Sequence, residues 1–127
     1  MALTIDRLDH LVLTVRDMEA SIDFYTRVMG FEVVNFGQGR KALAFGRQKI
    51  NLHPADAPLA PHALAPTPGS ADLCFVSAAP IDTVLAQLAA ADVPIESGPV
   101  PRTGAIGPIT SVYFRDPDHN LIEVSVY

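Results

Sequence analysis

One order of apolar runs occurs twice along the chain, and this repetition limits the possible folds more than any other feature. The first copy has a strand pattern at 8–15, helical spacing from Met18 to Met29, and three short apolar runs separated by Gly-containing turns. A shift of 62 residues places His10 on Asp72 and Val33 on Ile95 without a gap, and the order of runs is the same in both copies. The sequence therefore predicts an α+β fold made of two β-α-β-β-β modules.

A proline-rich stretch sets the predicted boundary between the modules. Residues 54–70 contain five prolines and are typical of an extended connector. The first module then covers about 5–53 and the second about 71–127, and together they form a single domain. Each module leaves one sheet face that it cannot cover alone, so we expect a second module to cover that face.

Terminating signals indicate the ends of both predicted helices. Asp17 is a good N-cap, and Gly30 sits where a left-handed C-cap residue belongs. Pro80 begins the second helix, which ends at Asp92, the position of the glycine in the first copy. Aspartate adopts the left-handed conformation less readily than glycine, but the repeat predicts that conformation at both positions.

The second module ends in a predicted hairpin. Its last strand is Leu121–Val126, and the turn before it spans 116–120, where Asp, Pro and Asn favour turn geometry. Upstream, we predict a short edge strand at Pro94–Glu96, because proline cannot donate to a central ladder. The Gly-bearing segment Arg102–Pro108 is predicted to be a loop.

Composition excludes several classes of function. Hydrophobic residues make up 49% of the chain and charged residues 18%, enough to fill a core. The net charge of −5 and the lack of a basic stripe argue against nucleic acid as a partner. No apolar run reaches the ~20 residues that span a bilayer, which argues against a membrane partner. The single cysteine, Cys74, excludes an intrachain disulfide, and we expect a cytoplasmic protein.

Two side chains of metal-ligand type lie inside apolar strands at opposite ends of the chain. Glu123 interrupts the last strand, and a carboxylate is costly to bury unless a cation meets it. His10 interrupts the first predicted strand, which is nearly continuously apolar, as in a strand covered on both faces. The pattern suggests that both side chains belong to one shared site.

Two motifs carry a resemblance to a known family. LDHLVLTVRDMEASIDFYTRVMGFEV at 8–33 and YFRDPDHNLIEV at 113–124 resemble the vicinal oxygen chelate superfamily. It includes glyoxalase I, extradiol dioxygenases, fosfomycin and bleomycin resistance proteins and methylmalonyl-CoA epimerase. More narrowly, GRKALAFGRQKINLHP and PTPGSADLCF are similar to a bacterial glyoxalase-domain subfamily, often described as virulence-associated or related to ring-cleavage dioxygenases.

The resemblance implies curled mixed sheets around a metal cavity, with ligands from the first and last strand of each module. The implied positions are His10, the segment 51–53, Asp72 and Glu123. Asp72 departs from the family pattern, in which histidine is usual. For the fourth ligand we expect His53, with Asn51 as the alternative. Aligning KINL with LIEV places Asn51 opposite Glu123, while His53 lies two residues on and shares the same strand face.

The same resemblance implies a small-molecule substrate and a divalent metal ion (Zn, Ni, Co, Mn or Fe). The expected activity is that of a glyoxalase-like lyase or isomerase on a substrate with vicinal oxygens, in which Glu123 shuttles a proton. One alternative is an extradiol-type ring-cleavage dioxygenase, which needs two histidines and a carboxylate around iron. Another is a non-catalytic binding or resistance protein. Relatives often pair modules between chains, so we expect a homodimer.

Overall fold

The computed structural model of the protein describes residues 2–127. Over these residues the chain forms eight strands and two helices in the order βαβββ βαβββ. The elements are β1 His10–Val15, α1 Met18–Arg27, β2 Glu32–Phe36, β3 Arg40–Phe45, β4 Gln48–Pro54, β5 Asp72–Val76, α2 Ile81–Ala90, β6 Ser97–Thr103, β7 Pro108–Arg115 and β8 Leu121–Val126. No helix in this part of the chain is long and apolar enough to cross a membrane.

The chain divides into two compact units, Met1–Pro66 and Thr67–Tyr127, each with one four-stranded sheet. In the first unit the strand order is β1-β4-β3-β2, and in the second it is β5-β8-β7-β6. Each sheet is mixed. β1 pairs with β4, and β5 with β8, in parallel, whereas the other strand pairs are antiparallel. The predicted α+β fold of two β-α-β-β-β modules is confirmed.

The first unit buries one sheet face and the apolar side of α1. Asp17 caps the helix, as predicted, by accepting a hydrogen bond at Oδ1 from the Ala20 amide at 3.1 Å. Phe24 and Tyr25 are buried on the helix, and their rings meet edge to face at 5.1 Å. The buried sheet residues are Leu13, Val15, Leu43, Ile50 and Leu52.

The end of α2 has the geometry of a Schellman cap. Asp92 has φ +57°, and its amide donates to the Ala89 carbonyl at 3.1 Å. The next amide, of Val93, donates to the Leu88 carbonyl at 2.9 Å. These two bonds satisfy carbonyl groups that the helix leaves unpaired. The predicted left-handed conformation is confirmed at Asp92 and also at Gly30, where φ is +72°.

The predicted position of the edge strand in the second unit was wrong. The structure forms no strand at Pro94–Glu96 but one at Ser97–Thr103, which includes the start of the predicted loop at Arg102–Pro108. Two prolines inside β6 concealed it, because proline usually interrupts a ladder. The edge position in the sheet and a register shift between Ser97 and Val100 accommodate them.

Burial of the first strand also differs from expectation. The strand begins at His10 instead of Leu8, and only its second half, Leu13 to Val15, is buried on both faces. Leu13 and Val15 are buried, whereas His10 is exposed and Val12 is 44% exposed. The face of His10 and Val12 carries the polar side chains described next.

Candidate functional site

The predicted ligands of the first unit share one face of its sheet. In β1 and β4, Val12 pairs with Asn51 and Thr14 pairs with His53. Directly paired residues, and residues two apart on one strand, point to the same side of a sheet. His10, Asn51 and His53 therefore lie on one face, which we call the ligand face of the first unit.

The second unit has an equivalent ligand face. Cys74 pairs with Glu123 and Asp72 pairs with Leu121, so Asp72, Cys74 and Glu123 point to the same side. Glu123 thus pairs with Cys74, which lies two residues after Asp72. In the first unit, Asn51 pairs with Val12, which lies two residues after His10. The strand register makes Asn51, and not His53, the structural equivalent of Glu123.

Two buried serines hold the Glu123 carboxylate. Its Oε2 atom accepts a hydrogen bond from Ser111 Oγ at 2.6 Å and one from Ser125 Oγ at 3.2 Å. The two hydroxyl oxygens are themselves 2.6 Å apart, and neither serine is exposed. A half-buried carboxylate with two hydroxyl donors has a fixed orientation. Sequence reasoning missed both serines, although their alternation in β7 and β8 places them on the ligand face.

The Cys74 thiol lies at the margin of this group. Its Sγ atom is 3.3 Å from Ser125 Oγ. Desolvation of the sulfur raises the pKa of the Cys74 thiol, and the nearby charge of Glu123 raises it further. The residue is therefore a neutral thiol near neutral pH and not a thiolate.

His10 is held from one side by its neighbour. Its Nδ1 atom is 2.8 Å from Asp9 Oδ2, and this hydrogen bond lowers the pKa of the Asp9 carboxyl. An ionised carboxylate only accepts, so Nδ1 donates to Asp9, and Nε2 takes no part in this bond. A histidine whose distal nitrogen is free while a carboxylate orients the ring is a common arrangement for metal ligation.

Asn51 and His53 are both buried on the ligand face of the first unit, and each has an unpaired polar atom. Among residues 2–127 no partner meets Asn51 Oδ1 or His53 Nδ1. The other ring nitrogen, His53 Nε2, is 3.3 Å from Nη2 of Arg40. Burial and then the charge of Arg40 lower the pKa of His53, so the ring is neutral and Nε2 accepts from the guanidinium.

The donor set fits a divalent ion by its chemistry. It offers an oriented imidazole nitrogen at His10, an unpaired amide oxygen at Asn51, and carboxylates at Asp72 and Glu123. Within the described residues no three His, Cys, Asp or Glu side chains are gathered closely enough to hold a metal. The structure thus brings the predicted ligands together in pairs, His10 with Asn51 and Asp72 with Glu123, each on one sheet face.

Comparison with known proteins identifies the family. Residues 7–124 match the sequence pattern of the Glyoxalase/Bleomycin resistance protein/Dioxygenase superfamily. The chain belongs to this superfamily. The family resemblance found in the sequence is therefore confirmed, and the two mixed sheets are those of the glyoxalase fold.

Similar proteins include one from Salmonella typhimurium, the virulence protein STM3117. It is 57% identical over 123 residues, which are 97% of this chain and 85% of that protein. Its crystal structure superimposes with a TM-score of 0.97, covering 98% of this chain and 99% of that one. Integron cassette protein VCH_CASS1 of Vibrio cholerae is 50% identical with a TM-score of 0.98, covering 100% and 99%. Lactoylglutathione lyase from Agrobacterium tumefaciens is 26% identical with a TM-score of 0.74, covering 97% and 95%.

Proposed function

We propose that the protein is a metal-dependent, glyoxalase-like lyase or isomerase that acts on a small substrate with vicinal oxygens. The observation that carries this proposal is the Glu123 carboxylate, which two buried serine hydroxyls hold on a ligand face. Membership of the glyoxalase superfamily and likeness to a lactoylglutathione lyase support it. The reaction class follows from a carboxylate oriented to exchange a proton.

We assign the metal ligands to His10, Asn51, Asp72 and Glu123. Asn51 is preferred to His53 because it is the structural equivalent of Glu123 and its oxygen is unpaired. His53 is disfavoured because its Nε2 atom accepts from Arg40, and a guanidinium beside a metal ion would repel it. A bound divalent ion would supply Lewis-acid stabilisation of the substrate's adjacent oxygens.

In this proposal Glu123 moves the proton. Both serine contacts fall on Oε2, so proton transfer is assigned to Oε1. Ser111 and Ser125 fix the rotamer of the carboxylate, which keeps Oε1 in one position. Asp9 has the corresponding task at His10, where it holds the imidazole in one tautomer.

A second candidate function is binding of a small molecule without catalysis. It is favoured by the finding that no three potential acidic, histidine or cysteine ligands are gathered within residues 2–127. Asp72, at a position where the family usually has histidine, is consistent with it. Ring cleavage ranks below both, because Arg40 engages the nitrogen of the second histidine that it would need.

The test is metal-dependent exchange of a carbon-bound proton. The purified protein is incubated in deuterated buffer with Zn, Ni, Co, Mn or Fe(II). The probes are dihydroxyacetone and the hemithioacetal of methylglyoxal with glutathione. We expect loss of the proton signal next to the carbonyl, faster than in buffer with the same metal. Oxygen uptake on catechol instead would favour the dioxygenase. Ligand binding with no exchange under any metal would favour the binder.

The homodimer expected from the sequence remains part of this proposal. Exposed apolar side chains on the ligand face of the first unit support it, since Val12 is 44% exposed and Val34 is 36% exposed there. Light scattering at micromolar concentration should give the mass of two chains. The mass of a single chain would contradict it.

A further inference from the structure

Two basic side chains converge on one aromatic ring on the ligand face of the first unit. The Arg40 Cζ atom lies 4.7 Å from the centroid of the Phe36 ring, and Lys49 Nζ lies 3.8 Å from it. Phe36 pairs with Arg40 across the β2–β3 hairpin, and Lys49 pairs with His10 across β1 and β4. Register therefore places both cations on the face that carries the proposed ligands His10 and Asn51.

Among residues 2–127, no salt bridge forms at either cation, although the charge of Lys49 helps to lower the pKa of the Asp9 carboxyl. The ion pairs of this part of the chain involve other basic residues, namely Arg7, His10, Arg27 and Arg115. Glu32 is on the same face as Lys49, separated from it by Ala44, yet the ammonium lies over the Phe36 ring and not against this carboxylate. Both cations are half-buried. Two partly desolvated cations beside one ring make the local potential more positive.

The Arg40 side chain is also held by the buried His53 ring. Its Nη2 atom donates to the neutral ring of His53, which is buried and carries no charge to neutralise the guanidinium. The Phe36 ring contributes a cation–π contact to the same side chain. A guanidinium held by a neutral acceptor and an aromatic ring keeps its remaining donors available in a fixed orientation.

The buried polar atoms nearby are incomplete without a ligand. Asn51 Oδ1 and His53 Nδ1 have no partner among residues 2–127, although both residues are at least nine-tenths buried. Buried polar atoms in folded proteins nearly always have partners, so each unpaired one requires an explanation. Both residues belong to the same strand and face as Lys49. An oxyanion at this face would accept from His53 Nδ1–H, while the Asn51 oxygen is the atom assigned above to the metal ion.

We infer that Arg40 and Lys49, arranged around Phe36, form a binding site for a small oxyanion, a carboxylate or phosphate group carried by the substrate. This inference rests on the proposed function, in which the same sheet face carries the ligands His10 and Asn51, and it names the substrate class as anionic. Arginine suits such a group because its planar donors match two oxygens, while lysine adds a point charge.

The test is titration of the purified protein with inorganic phosphate at constant ionic strength, followed by calorimetry and by NMR of arginine and lysine side chains. We expect saturable binding that shifts the Arg40 and Lys49 signals. Arg40→Gln and Lys49→Gln should each weaken binding roughly tenfold. Arg47→Gln and Lys41→Gln are matched controls on the same sheet and should leave it unchanged. Lys41 already donates to Asn35 at 2.7 Å, and Arg47 is exposed in a turn.

Equal phosphate affinity in wild type, Arg40→Gln and Lys49→Gln would overturn the inference, as would binding no stronger than that of chloride. If Arg40→Gln does not fold, the phosphate affinity of Lys49→Gln tests the inference, because the hydrogen bond to the buried His53 ring comes from Arg40. Acetate and methylphosphonate compared in the same titration identify whether the substrate group is a carboxylate or a phosphate type.

The same variants separate this inference from the proposed function. Metal content measured in Lys49→Gln should equal that of the wild type, since neither basic residue is an assigned ligand. Phosphate binding by a protein that takes up no divalent metal would overturn the proposed function while supporting the anion site. Metal uptake without phosphate binding would overturn the anion site while leaving the proposed function supported.

Discussion

Replacing Glu123 with glutamine is expected to slow metal-dependent proton exchange by about 10²- to 10⁴-fold, the range for loss of a general acid–base group. Glutamine has nearly the same shape, and its carbonyl oxygen can accept the hydrogen bonds that Ser111 and Ser125 now give to Oε2. It cannot carry the proton. The measurement is the deuterium exchange rate of the best probe substrate, with far-UV circular dichroism to verify the fold.

The matched control for this variant is Glu19→Gln. Glu19 is an exposed carboxylate in the first turn of α1, and it belongs to neither sheet. We expect its exchange rate to equal that of the wild type. An exchange rate in Glu123→Gln within about twofold of wild type would contradict the assignment of Glu123 as the proton carrier.

Asp116→Ala is expected to lower the free energy of unfolding by about 3–5 kcal/mol, because it leaves several buried donors without an acceptor. Asp116 is 4% exposed. Its Oδ1 atom accepts from the amides of Asp118 and Asn120, both at 2.9 Å, and Oδ2 accepts from Asn120 Nδ2 at 2.8 Å. This carboxylate therefore organises the turn that leads into the strand carrying Glu123. Urea denaturation measures the effect.

Two further variants give this prediction its controls. Asp116→Asn should lose less stability than alanine, since its remaining oxygen can still accept both backbone amides. It should not match wild type, because Asn120 Oδ1 already accepts from the Ala71 amide and its Nδ2 would face another donor. Asp56→Ala, at an exposed position, should change the free energy of unfolding little. A loss below about 1 kcal/mol in Asp116→Ala would refute the account of the turn.

Local rules predicted the elements whose sequence signals are strong. The N-cap at Asp17 and the left-handed residues at Gly30 and Asp92 follow from side-chain and backbone preferences that operate within a few positions. The strand Leu121–Val126 was also placed correctly, since its turn residues and apolar content point the same way. The turn itself has φ +66° at His119, where a glycine would be more usual.

Features that depend on strand register were harder to predict. Ser111 and Ser125 are separated in sequence, and only the pairing of β7 with β8 brings them together at Glu123. The contact of His53 with Arg40 has the same origin in the pairing of β3 with β4. Register also agrees with the motif alignment that placed Asn51 opposite Glu123, whereas the choice of Asn51 or His53 as a metal ligand stays a prediction.

The most direct test of the account is the metal content of the purified protein, measured beside Glu123→Ala and Glu19→Ala after purification without chelator or His-tag. Each protein is loaded with excess divalent ion and then freed of unbound metal before elemental analysis. The account predicts near one metal per chain in wild type and Glu19→Ala, and loss of that metal in Glu123→Ala. No metal in the wild type after loading, or equal metal in Glu123→Ala, would contradict it.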